Sequence, residues 1–192
     1  MDRFTPVLPA KPLGLVLAAG QGRRFGGPKA PYEYEGERLV DRAVRILREG
    51  GCDPVIVVLG AWIGDVPDAQ VVVNEQWASG MGSSLRAGLA AGAELPDVEA
   101  ALITLVDLPG LTAAAIGELA ANADPDVLRA AEFSGRRANP VLIGRNHWAG
   151  VCDLALGDQG ARAYLAERDV QLVPLDHLAD GQDLDERPGP TD

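Results

Sequence analysis

LAAGQGRRFGGPK, residues 17–29, places four glycines, two arginines and a lysine directly behind an apolar run that begins at Leu13, in a chain of net charge -11. The run Leu13–Ala19 reads as a strand buried on both faces, because it is continuously apolar and stops at glycine. Glycine gives up folding entropy in exchange for left-handed backbone angles and close approach of the main chain. Cations gathered at such a loop imply that the approaching group is an anion. The pattern points to a polyphosphate.

Working outward, Leu39–Arg48 carries Leu39, Val40, Ala43, Val44 and Leu47 at helical spacing. Residues 54–60 (PVIVVLG) and 69–74 (AQVVVN) read as further strands, and 82–95 as a helix with small residues on its packing face. The stretch 100–107 (AALITLVD) is a strand ending on an aspartate, followed by a helix over 111–123 with Thr112 as N-cap. Beyond residue 124, DVLRAAEF and PVLIG read as strands flanking a turn at Ser134 and Gly135. They precede a helix through 145–156, a helix in GARAYLAER and a final strand in VQLVPL. Alternating strands and helices predict a single-domain, three-layer α/β fold of the Rossmann-like kind with a mostly parallel sheet. The expected divisions are a flexible lead-in over 1–12, one domain over 13–187 and a disordered tail over 188–192.

With 192 residues and 47% hydrophobic content, the chain can bury one sizeable core. Asp+Glu 28 against Lys+Arg 17 sets up a field that repels nucleic acids and anionic membranes. Cys52 and Cys152 match no metal or redox spacing, so free thiols in a reducing compartment are expected. No apolar run reaches the roughly 18 residues of a membrane helix, and MDRFTPVLPAKPLG lacks a secretory hydrophobic region. A cytoplasmic location is expected.

Three phosphate-binding designs compete for the opening loop. A Walker loop needs Gly-Lys-Ser or Gly-Lys-Thr, which GGPKAP does not supply. A dinucleotide fingerprint needs its third glycine one residue earlier than Gly26, and the second strand ends Val58-Leu59-Gly60 without a ribose-binding acid. The third design wraps a nucleoside triphosphate in loop amides and neutralises it with arginine and lysine, and it fits best. Asp107, at the carboxyl end of a buried strand, faces the same crevice and can hold Mg²⁺ against the triphosphate. Ser83 and Ser84, at the start of the 82–95 helix, can cap it or meet a base edge. Neither His147 nor His177 falls in a motif.

The loop resembles the signature LAAG-x-x-x-R-(M/F)-G-x-x-K of the MobA-like NTP transferase family. The later W-x-x-GMGSSLRAG wording is similar to its molybdenum cofactor cytidylyltransferase branch. The resemblance implies nucleotide binding by Leu17, Ala18, Ala19, Gly20, Gly22 and Arg23, with Arg24 and Lys29 as catalytic cations on the phosphates. It lays Gly82, Ser83 and Ser84 along the nucleoside and makes Asp107 the metal-binding aspartate of a D-x-P element. A second metal carboxylate would be Asp185, with Asp183 in reserve, in QDLDERPGP, where the family's following Thr-Pro-Glu-Asp is missing. GDQGAR (157–162) resembles an element that shapes the acceptor side, and in RRANPVLI (136–143) Asn139 stands where a histidine is usual, with Arg136 and Arg137 facing an acceptor phosphate.

The expected activity is Mg²⁺-dependent transfer of a nucleoside monophosphate, CMP from CTP, to a phosphorylated acceptor of molybdopterin type, with release of pyrophosphate. Expected partners are that acceptor and a molybdoenzyme of the xanthine dehydrogenase type, with no nucleic acid and no membrane. GTP-using molybdopterin guanylyl transfer and sugar-phosphate nucleotidyl transfer are the alternatives within the class. A non-catalytic molybdenum cofactor carrier is the alternative outside it, and such a carrier would not need Lys29 and Asp107.

Overall fold

The computed structural model describes residues 11–187. The tail expected over 188–192, and residues 1–10 of the expected lead-in, lie outside the described residues. Pro12 is buried, and its carbonyl accepts a hydrogen bond from the Asp53 amide at 3.0 Å.

The apolar run becomes β1 (Leu13–Leu17), fully buried, and Ala18 and Ala19 bend out of the strand while remaining buried. A two-residue hairpin that the sequence pattern does not reveal follows, β2 (Glu33–Tyr34) and β3 (Glu37–Arg38), turning through Glu35 and Gly36 at φ 52° and 82°. Next come α1 (Leu39–Glu49), β4 (Val55–Leu59), β5 (Gln70–Val73), α2 (Met81–Ala93) and β6 (Ala100–Leu105). The helix α3 (Ala113–Ala120) is capped as expected, with the Ala115 amide donating to Thr112 Oγ1 at 3.2 Å.

In the less regular second half, β7 (Leu128–Phe133) and β8 (Arg136–Gly144) form a hairpin. Ser134 and Gly135 both take positive φ, 51° and 72°, which matches the right-handed twist of the flanking strands. The second strand is longer than PVLIG because the tight turn draws Arg136, Arg137 and Ala138 into the ladder. A register shift between Ala130 and Ala131 leaves Asn139 and Pro140 outside the regular pairing, where a residue lacking an N–H is tolerated. The expected helix over 145–156 is a 3₁₀ turn followed by a short α4 (Trp148–Leu154). The chain ends through α5 (Arg162–Ala166) and β9 (Gln171–Pro174).

The seven-stranded sheet has the order β5-β4-β1-β6-β8-β7-β9. β8 alone runs against its neighbours, so the sheet is mostly parallel, as expected. Alternation along β1 splits the core into two layers. Val16 faces α1 and α3, whereas Leu13, Leu15 and Leu17 face α2 and α4. Small residues let α2 lie close to the sheet: a Cβ on Gly88 would strike Leu15, and one on Gly92 would strike Leu13. Among the described residues no helix is long and apolar enough to cross a membrane.

From β1 the chain moves outward through β4 to β5, then returns to the other side of β1 as β6. The winding therefore reverses between β1 and β6. Their carboxyl ends diverge into the loops that follow, leaving a crevice in which open α/β sheets bind ligands.

Candidate active site

A cavity of about 490 Å³ opens at this switch point. Its walls are the loop after β1 from Leu17 to Arg23, Leu105–Asp107 after β6, and Trp77–Met81 with Ser84 at the start of α2. Lys29 and Asp158 complete it.

The glycines of the loop have separate jobs. Gly22 sits at φ 61°, and its carbonyl accepts from the Gly26 and Gly27 amides at 2.9 and 3.1 Å, folding the loop back on itself. A side chain at Gly22 would land on the Gly27 carbonyl. Phe25 pins the turn from below: it is buried, with its ring edge-on to Tyr32 at 4.8 Å between centroids. Arg187, near the end of the described chain, lies 5.4 Å from the Phe25 ring and donates to the Phe25 carbonyl at 3.1 Å. The last stretch of chain thus straps the loop down, helped by the Leu184 amide on the Asp107 carbonyl at 2.8 Å.

Lys29 and Asp107, 78 positions apart, meet at 2.7 Å with only 13% and 19% of their side chains exposed. Asp185 stands 3.8 Å from Lys29 and 3.4 Å from Arg24, but is half-exposed. Asp107 Oδ1 is buried and has no hydrogen-bond partner among the described residues, an expensive arrangement unless a ligand supplies one. Asp183 is close enough to feel both other carboxylates. Partial burial first, then the charges of Asp107 and Asp185, hold its carboxyl above the ordinary value. Among the described residues no group of three or more His, Cys, Asp or Glu side chains is arranged to hold a metal ion. One or two carboxylates together with substrate phosphates are what Mg²⁺ usually needs, so the orphaned Asp107 oxygen fits such an ion.

Of the residues singled out from the sequence, Leu17, Ala18, Ala19, Gly20, Gly22, Arg23, Lys29, Ser84 and Asp107 line the cavity. Arg24 instead borders an adjoining recess of about 150 Å³ with Asp185, and its side chain is 81% exposed. Gly82 and Ser83 do not line the cavity. Gly82 is pressed against the Ala155 carbonyl. Ser83 Oγ contacts Asn74 Nδ2 and the carbonyls of Gln76 and Gly80. Neither serine caps α2; its N-cap is Gly80 at φ 110°. Sequence reasoning missed Asn74, whose buried amide donates to Ser83 at 2.8 Å and Ser84 at 3.0 Å and so fixes the helix entrance. It also missed the lining role of Trp77 and Asp158, although both lie inside motifs quoted above. Arg137 donates to the Leu165 carbonyl at 3.0 Å, tying the β7–β8 hairpin to α5.

Away from the cavity the cysteines are free, as expected. Cys52 is buried, which pushes its thiol up to about 12, and Cys152 is half-buried and raised for the same reason.

The MobA-like NTP transferase domain matches residues 14–172. Among known proteins the chain is 36% identical to nicotine blue oxidoreductase of Paenarthrobacter nicotinovorans, over 90% of this chain and 91% of that protein. It is 30% identical to a Mycobacterium ulcerans protein named "probable molybdenum cofactor guanylyltransferase", covering 86% of this chain and 85% of the other. A solved structure from Mycobacterium sp. strain JC1, a homologue of the Mycobacterium tuberculosis protein Rv0371c, superposes with a TM-score of 0.73 at 26% identity over 88% of each chain. With its loop, its switch-point crevice and a match across most of its length, the chain belongs to the MobA-like NTP transferase family.

Proposed function

We propose that the protein transfers a nucleoside monophosphate, from CTP in preference to GTP, to the phosphate of a molybdopterin-type acceptor and releases pyrophosphate. The observation that carries this reading is the Lys29–Asp107 pair at 2.7 Å on the cavity wall, with the second Asp107 oxygen buried and unpartnered. A triphosphate entering beside this pair would draw Lys29 to a phosphate oxygen and leave Asp107 free to hold a metal ion.

An acceptor phosphate oxygen attacks the α-phosphorus, the new P–O bond forms, and the bond from that phosphorus to the bridging oxygen of the β-phosphate breaks. The electron pair leaves with pyrophosphate. The acceptor phosphate is ionised at neutral pH, so no general base is required. The chain's contribution is positioning and charge neutralisation. Loop amides from Ala18 to Gly22 wrap the triphosphate, Arg23 and Lys29 meet its negative charge, and Arg24 reaches it from the adjoining recess. Asp107 with Asp185, or Asp183 in its place, would hold Mg²⁺, which supplies neutralisation of the phosphates. The preference for CTP rests on the GMGSSLRAG and GDQGAR wording alone. A cytoplasmic setting and delivery to a molybdoenzyme of the xanthine dehydrogenase type belong to the same reading.

The deciding experiment is pyrophosphate release from CTP, GTP, ATP and UTP, with molybdopterin and with common sugar phosphates as acceptors, with and without a chelator. Turnover of one triphosphate with molybdopterin, lost on chelation, is expected. Equal turnover with sugar phosphates alone would move the substrate class. A second reading, oxidoreductase chemistry on nicotine blue, is favoured by one observation, the 36% identity to nicotine blue oxidoreductase. Protein-dependent reduction of nicotine blue by an added electron donor, with no pyrophosphate released from any triphosphate, would establish it instead.

A further inference from the structure

The cavity carries two carboxylates: Asp107 is paired with Lys29, whereas Asp158 has no ion pair among the described residues and would repel a triphosphate. Asp158 belongs to a 3₁₀ turn, Gly157–Gln159, that is pressed onto the entrance of α2. The contact depends on missing side chains. A Cβ on Gly80 would meet the Gly157 carbonyl and come within 2.8 Å of Asp158 Oδ1, and one on Gly82 would meet the Ala155 carbonyl. Arg86, from α2, donates to that same carbonyl. The Asp158 backbone is thereby fixed with its carboxylate on the cavity wall. Oδ1 accepts from the Met81 amide at a long 3.4 Å. Asp158 is exposed to solvent, and among the described residues it has no ion-pair partner and Oδ2 makes no hydrogen bond to the protein. The sequence resemblance gives this turn to the acceptor side; in the structure it packs against the start of α2, and Asp158 lines the cavity.

Accepting the nucleotide reading above, the triphosphate takes the cationic side of the cavity, around Gly22 and Lys29. The uncharged part of the nucleotide is left the α2 entrance, where Asp158 contacts the Met81 amide. Trp77 and Met81 flank that region with the apolar surface that a flat base covers. An ionised carboxylate only accepts hydrogen bonds. Cytosine and guanine present exocyclic amines, and uracil presents a carbonyl in the place of the cytosine amine. We infer that Asp158 is a specificity-determining residue, its carboxylate accepting a hydrogen bond from the exocyclic amine of the base. The site then selects amine-bearing nucleotides and rejects those with an acceptor at that position.

The test uses two nucleotide pairs that differ in that amine, CTP with UTP and GTP with ITP. Their dissociation constants are measured by calorimetry with Mg²⁺ on the full chain, for the wild type and for Asp158→Asn. In the wild type the pair containing the preferred nucleotide should differ by at least ~10-fold, the usual scale of a lost charge-assisted hydrogen bond. Asp158→Asn should narrow that ratio to within about threefold, partly by tightening UTP, since an amide can donate to a carbonyl. Asp158→Ser, which keeps an acceptor for the Met81 amide but no charge, should narrow the ratio as well and covers the case in which the asparagine variant fails to fold. A ratio that both variants retain would reduce Asp158 to a helix cap and overturn the inference. Equal weakening of all four nucleotides would move the contact to the ribose and overturn it too, as would a wild type that does not discriminate within either pair. A wild type that binds none of the four overturns the nucleotide reading itself, an outcome distinct from binding without discrimination.

Discussion

Replacing Asp107 with asparagine should separate stability, nucleotide binding and chemistry in opposite directions. The pair it breaks is nearly buried, at 13% and 19% exposure and 2.7 Å. Removing one partner of a fully buried pair costs roughly 3–5 kcal/mol, because the other charge is left uncompensated. Lys29 keeps some compensation here, since Asp185 remains at 3.8 Å and the ammonium still touches solvent. A loss of about 2 kcal/mol follows, or roughly 4–8 °C in Tm for a domain of this size. Affinity for metal-free CTP should move the other way. Lys29 no longer has to leave its 2.7 Å partner, and one negative charge on the cavity wall is gone. At an effective dielectric between those of surface and bulk water, this amounts to a gain of ~3- to 30-fold, diminishing with added salt. Pyrophosphate release should fall by at least ~100-fold, because a neutral amide binds Mg²⁺ poorly. Differential scanning calorimetry, metal-free titration calorimetry and a coupled pyrophosphate assay read the three quantities. Unchanged turnover would remove the metal site from Asp107, and weaker metal-free binding would refute the partner exchange.

Three further outcomes are expected. Gly22→Ala should lower stability by at least ~1 kcal/mol and abolish measurable triphosphate binding, because its φ of 61° and the nearby Gly27 carbonyl leave no room for a methyl group; near-native CTP affinity by calorimetry would show that the loop does not depend on this turn. Asn74→Ala leaves the buried Ser84 hydroxyl without its side-chain partner, and takes one donor from Ser83 and the acceptor from the Gln76 amide; it should cost ~1–3 kcal/mol by urea denaturation, with binding weakened through a loosened α2 entrance. The Cys52 thiol, pushed up to about 12 by burial, should resist alkylation in the native state while Cys152 reacts. The folded state holds the Cys52 proton more tightly than the unfolded chain, so this stability contribution is complete below the unfolded value of about 8.5 and is lost as pH rises from there toward 12. Mass spectrometry of alkylated protein and Tm measured across that range check both statements.

How much of this was legible beforehand depended on whether the signal was local. Leu13–Leu17, the glycine loop and the strand ending before Asp107 are each written in a short window: an apolar run, a residue type that permits positive φ, a carboxylate where a strand stops. Regular alternation then made the mostly parallel sheet nearly obligatory, and that sheet puts the loop after β1 beside the end of β6, next to Asp107. The second half resisted because its elements are short and its strands are defined by partners. The length of β8 depends on the Ser134–Gly135 turn and on a register shift opposite Asn139 and Pro140, which no periodicity records. Asn74 was illegible because its work is done at hydroxyls on another element. Glycine and serine at a helix start read alike whether they line a cavity or, as here, pack Gly82 on the Ala155 carbonyl and bond Ser83 to Asn74, Gln76 and Gly80. The sequence by itself determined the layers, the strand that carries the loop, and the residue types suited to polyphosphate. Which side chains converge was decided only by the tertiary structure: the Arg187 strap over Phe25, the orphaned oxygen of Asp107 and the carboxylate of Asp158 at the entrance of α2. Such contacts join positions far apart in the chain, and their geometry follows from packing, which local propensity does not encode.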